Sequence, residues 1–240
     1  MLTAVWIALS CMGSFAEAQT MENAKKGLDA RQEKIVTIAA FTANGNPEKL
    51  KTALNAGLDA GLTVNEIKEV LIQLYAYTGF PRSLNGIQTF MTVMNEREAK
   101  GIADRPGQDP MSLPPGMDRD VYGEAVRMTL SGITTLAPKS GYQLFAPAID
   151  TFLKEHLFAD IFGRGVLEFY DRELATIAAL AALGGTESQL QFHMGAAMNV
   201  GLSQEQLEDV IAVLDRDIGR NEAEPARKVL PNVLKNRLKK

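Results

Sequence analysis

The stretch "ELATIAALAALGGTESQLQFHMGAAMNVGLSQEQLEDV", residues 173–210, decides the fold, because its pattern has already occurred once as "KIVTIAAFTANGNPEKLKTALNAGLDAGLTVNEIKEV", residues 34–70. Each stretch reads T-I-A-A, a break containing glycine, and a helix ending in G-L-[TS]. The offset is 139 residues at Thr37/Thr176 and 140 at Gly61/Gly201, so a single insertion separates the copies. A repeat this long with intervening chain marks a duplicated supersecondary unit rather than a solenoid.

The local chemistry of each copy is helical. Asn46-Pro47 supplies an N-cap followed by proline in the first turn. Thr63 with Glu66, Thr186 with Gln189, and Ser203 with Gln206 have capping-box spacing. Gly61 and Gly201 stand where a helix ends in the left-handed region that glycine enters cheaply. Leu190, His193, Met194 and Ala197 form an apolar stripe at i, i+3, i+4, i+7, and Ile67, Val70, Leu71 and Leu74 do the same in the first copy. Sustained period-two alternation bounded by hairpin turns is missing. The expected fold class is therefore all-α, with each copy reading helix, break, helix, glycine, helix. A three-helix unit cannot bury a broad apolar face alone, so the copies are expected to pack together.

Working outward, residues 28–98 form the first repeat and 99–118 a Pro-rich linker, whose core reads "GIADRPGQDPMSLPPGMD" over 101–118. Residues 119–238 form the second repeat, with added helices expected over 119–132 and 145–160. Gly219 falls opposite Gly79, but without the Phe80 and Pro81 that follow the first-copy glycine.

A net charge of −4 and a pI near 5.4 exclude a dedicated nucleic-acid binder. The basic cluster at the tail, Lys235, Arg237, Lys239 and Lys240, suits a helix C-terminus. Residues 2–15, "LTAVWIALSCMGSF", are apolar, uncharged and short for a membrane span. They precede Ala16-Glu17-Ala18, a small-x-small cleavage pattern. The positive n-region is absent, yet residues 1–18 are expected to be a signal peptide and the mature protein periplasmic or secreted, free of the membrane. The single cysteine, Cys11, lies in that segment, so a cleaved chain has no thiol for catalysis, disulfides or metal. Two histidines and no carboxylate cluster at ligand spacing argue for no metal site, and no cofactor is expected.

The runs "EHLFADIFGRGVL", "DRELATIAALAALGG" and "LQFHMGAAMNVGL" within residues 155–202, with "GLTVNEIKEVLIQLYAYTGFPRSLNGIQTF" over 61–90, resemble the carboxymuconolactone decarboxylase-like family of the alkylhydroperoxidase-D-like superfamily. The resemblance implies an all-helical subunit that assembles into trimers or hexamers. It implies one of two chemistries: cofactor-free decarboxylation or isomerisation of a small unsaturated carboxylic acid or lactone, or antioxidant peroxide reduction through C-x-x-C-x-x-x-H. His193 matches the histidine of the second motif, but Thr186 and Gln189 occupy the cysteine places, and the first copy has Asn46, Lys49 and Ala53 there. Peroxide reduction needs a low-pKa thiolate and is disfavoured.

His193 is accordingly the candidate general acid–base, weighed against a satisfied core histidine. Glu173 matches the glutamate of the thiol branch's proton relay, weighed against a first-turn residue that suits the helix dipole. Arg164, Arg172 and His156 are candidates for binding a substrate carboxylate, weighed against ion pairs and surface solvation. Glu66 and Glu69 read as capping and solvation, and Tyr75, Tyr77 and Phe80 as packing or pocket wall. A non-catalytic binding or assembly protein of the same fold is the third reading.

Overall fold

In the computed structural model, residues 27–136 and 138–238 are described; the expected signal peptide and Cys11 lie outside them. Ten α-helices follow in order: α1 (Ala30–Asn44), α2 (Pro47–Asp59), α3 (Val64–Ala99), α4 (Arg119–Ser131), α5 (Tyr142–Phe145), α6 (Pro147–Thr151), α7 (Phe169–Leu183), α8 (Glu187–Asn199), α9 (Gln204–Val213) and α10 (Arg220–Arg237). No strand occurs among the described residues, and no described helix is long and apolar enough to cross a membrane.

The T-I-A-A segments lie at the centre. α1 and α7 pack against each other, burying Ile35, Val36, Ile38, Ala39 and Ala40 against Leu174, Ala175, Ile177, Ala178 and Ala179. Helices apolar around their whole circumference belong in the middle of a core. Alanine on the facing sides lets the axes approach toward the short end of the usual 8–10 Å range. The packing is reciprocal. α3 of the first copy lies on α7, and α9 with its continuation lies on α1. Each copy thus closes the other's core, and one apolar cluster runs through both.

Each copy has one more helix than the sequence pattern implied. Gly79 interrupts α3 with φ 77° and ψ 161°, and Gly219 separates a π-helical turn, Leu214–Ile218, from α10. The two breaks occupy equivalent places, so each unit has four helical segments. The capping boxes at Thr63/Glu66 and Ser203/Gln206 are formed, as is the Asn46 cap. The box expected at Thr186/Gln189 is not. Thr186 adopts φ −127° and ψ 30°, away from the extended conformation a box requires, and its hydroxyl donates to Leu180 O at 3.0 Å.

The linker has no regular structure but is fastened at two points along it: Val64 N donates to Arg105 O at 3.0 Å and Met111 N to Arg164 O at 2.8 Å. The expected helix over 145–160 is two short α-helices followed by a π-helix, Phe152–Ile161. α4 lies against that π-helix at Gly123, where a Cβ would stand 1.9 Å from Lys154 O. Val126, Leu130, Leu157, Phe158, Ile161 and Phe162 make a second apolar cluster that meets α8 at Ala196. The insertion therefore roofs the second copy on the side of His193.

Candidate active site

Three consecutive charged residues, Asp171, Arg172 and Glu173, enter the core from the first turn of α7. Successive helical residues point about 100° apart, so each needs its own partner, because an unpaired buried charge is costly. Asp171 takes Arg31 at 2.7 Å, and Arg31 also reaches Glu66 at 2.7 Å. Burial still holds the Asp171 carboxyl above its ordinary range despite that arginine. Arg172, 0 % exposed, donates to Gly165 O at 2.8 Å, Gln73 Oε1 at 3.0 Å and Glu69 Oε2 at 3.2 Å. Burial lowers its guanidinium pKa against the pull of Glu69. Glu173, also 0 % exposed, places Oε2 2.7 Å from His193 Nδ1.

Fold geometry thus unites the two residues singled out as an acid–base pair. α7 carries the carboxylate and α8 the imidazole, which is 5 % exposed. Tyr77, from the first copy, lies edge-on to His193 with ring centroids 5.4 Å apart, and Phe192 does so at 5.2 Å. Two oxygens here are buried without a well-formed hydrogen bond: Tyr77 Oη, which has the Thr176 hydroxyl as a looser polar neighbour, and Glu173 Oε1. Burial, reinforced by the Glu173 carboxylate, pushes the Tyr77 phenol well above its ordinary value, so it stays protonated. With Nδ1 facing Glu173, Nε2 is the histidine atom left for a reacting group.

The carboxylate-binding candidates are engaged with carboxylates of the protein. Arg164 grips Glu69 at 2.9 Å, and Arg172 is spent on the same carboxylate. Both are members of an ion-pair cluster on Glu69, the alternative that was weighed against substrate binding. His156 is exposed, pairs with Asp160 at 3.1 Å and lies beside Tyr75. Glu69, read from sequence as solvated, is buried because two arginines converge on it. No local pattern signalled this, because the Ile67, Val70, Leu71 and Leu74 stripe lies on nearly the opposite face of α3 from Glu69 and Gln73. Tyr77, read as packing or pocket wall, contributes the buried hydroxyl.

A cavity of about 180 Å³ opens between α4, α8 and α10; His193, Glu173 and Tyr77 do not line it, and Phe192, which touches the His193 ring, connects the two. Phe192 and Ala196 form its wall on the His193 side, and Asn199 and Arg237 line it. Arg237 Nη1 donates to Asn199 Oδ1 at 2.6 Å and has no carboxylate partner among the described residues. Nothing at the site offers a thiol: Thr186 is turned toward α7 and Gln189 is exposed.

The family model described as "Carboxymuconolactone decarboxylase family" matches residues 12–89 and 147–230, one match per copy and together well over half of the chain. No curated protein matches the sequence.

Proposed function

The chain belongs to the carboxymuconolactone decarboxylase family, and on that premise we propose that it is a cofactor-independent lyase or isomerase acting on a small unsaturated carboxylic acid or lactone. His193 Nε2 moves the proton at a carbon next to the carboxylate or lactone carbonyl. Glu173 fixes the tautomer through Nδ1 and stabilises the imidazolium that forms. The protonated Tyr77 hydroxyl is the group able to donate to an oxygen that gains charge. Arg237, at the mouth of the cavity, holds the substrate carboxylate. The volume suits such a ligand, since a dry cavity of roughly 150 Å³ takes up benzene. Phe192, 41 % exposed, lies between cavity and imidazole and has to swing aside.

One observation carries this reading: two buried oxygens beside a buried histidine–carboxylate pair have no well-formed hydrogen bond. Each such unsatisfied group costs about 1–3 kcal/mol, and a site that binds a polar ligand explains their retention. A second reading, a non-catalytic binding or assembly protein, draws support from the small exposure of His193. Thermal shift with a panel of unsaturated carboxylates, lactones and aromatic acids, on wild type and His193→Gln in parallel, separates the two. A ligand that stabilises wild type but not the variant, and is turned over by wild type alone, supports the enzyme. Equal stabilisation with no turnover supports the binding protein.

A further inference from the structure

The duplication places a counterpart to the His193 site on the first copy, and its chemistry is different. In the repeat register Lys34 corresponds to Glu173, Ala53 to His193, Thr52 to Phe192 and Asp217 to Tyr77. These residues come together in the structure, lining a cavity of about 400 Å³ with Lys49 and Arg216. The second-copy pair is roofed by α4 and the π-helix, whereas the equivalent position here is an open cavity.

The charges lining it are mostly positive. Arg216 is held in place by Glu33 at 2.9 Å and Asp217 at 2.8 Å. Lys34, half-buried, has no carboxylate within ion-pair distance among the described residues, and neither does Lys49, whose Nζ stands 5.7 Å from the Phe41 ring centroid. Half-buried Lys34, exposed Lys49 and the fixed Arg216 guanidinium thus line one cavity, with Asp217, whose charge Lys34 also feels, as its one lining carboxylate. Three lining cations against one lining carboxylate leave an excess of positive charge, which a small anionic ligand offsets.

We propose that this first-copy cavity is a binding site for a small dianion, a dicarboxylate or a phosphate, held by Lys34, Lys49 and Arg216. The site is separate from the His193 pair and does not depend on its chemistry. With no histidine or thiol it binds and does not catalyse; a duplicated unit has exchanged an acid–base pair for cationic recognition.

Isothermal titration calorimetry with succinate and with inorganic phosphate, at low ionic strength, tests it. Saturable binding of either probe to wild type is expected, weakening with added salt. The double variant Lys34→Gln/Lys49→Gln should lose about tenfold or more in affinity, with its circular dichroism melt unchanged. Asp217→Asn, which removes the opposing carboxylate, should tighten binding, and His193→Gln should leave it as in wild type. Whichever probe saturates identifies the source of the dianion. No saturable heat from either probe, equal affinity in the double variant, weaker binding in Asp217→Asn, or loss of binding in His193→Gln would each overturn the assignment.

Discussion

Arg172 shows how one residue can be legible as a type and not as a role. An arginine beside a family-like loop reads as a carboxylate anchor, because arginine is almost never fully buried unless paired. Nothing local announces that Glu69, over a hundred residues earlier, comes to meet it. Arg172→Ala strands Glu69 with only Arg164 and should cost about 3–5 kcal/mol, as breaking a buried pair does; urea denaturation of wild type and variant measures it. Tyr77→Phe should act in the opposite sense. It removes a buried hydroxyl that has no well-formed hydrogen bond, so the free protein should gain up to about 1 kcal/mol while losing turnover in the ligand assay. A clear loss of stability would mean the hydroxyl is already satisfied. His193 and Glu173 were readable as a pair through the family resemblance, which implies a histidine and a glutamate of one proton relay at these positions, and the fold brings the two together. Tyr77 was readable as packing or pocket wall but not as a polar neighbour of His193, since that contact depends on how α3 crosses α7.

At the scale of elements, boundaries were predictable wherever the signal was chemical and local. The caps at Asn46, Thr63 and Ser203 formed because each side chain had extended backbone or a proline-led turn to work with. Thr186 failed because Gly184 and Gly185, both with positive φ, deliver the chain at another angle. The π-helix over Phe152–Ile161 left no signature in the sequence, since it is set by packing on α4. Gly123 is the residue that permits that packing, and Gly123→Ala should separate α4 from the π-helix. A loss of about 1–3 kcal/mol is expected, as for overpacked cores. Asp150 ties the same segment together, bound by Arg127 at 2.6 Å and Gln143 at 3.0 Å. These contacts outweigh burial and hold its carboxyl below the ordinary value. A lowered folded-state pKa stabilises above the unfolded value, near pH 4, and that contribution is lost as pH falls through the folded one. Denaturation of Asp150→Asn should show lower stability at neutral pH and a shallower decline below about pH 4 than wild type.

Across the whole molecule, the two copies are one folding unit. α1 and α7 are each other's core, and each is covered by a helix from the opposite copy. Calorimetry should therefore show a single transition with matching calorimetric and van't Hoff enthalpies; two resolved transitions would mean the copies melt separately. All-α class and duplication were legible because T-I-A-A recurs at a near-constant offset, but the interlocking was not, because it depends on helix crossings rather than on any local pattern. Exposed apolar side chains on the insertion, Phe145 at 93 % above all, suit the self-association implied by the family resemblance. Sedimentation should show more than one chain per particle, and Phe145→Asp should reduce it. The near-constant offset also makes the chain its own control experiment. Matched positions of the two repeats have similar backbone and different surroundings. A matched pair of substitutions, such as Thr37→Val and Thr176→Val, compares two environments at fixed temperature, solvent and concentration. Ancestral redundancy has become a ledger of divergence, readable inside a single polypeptide.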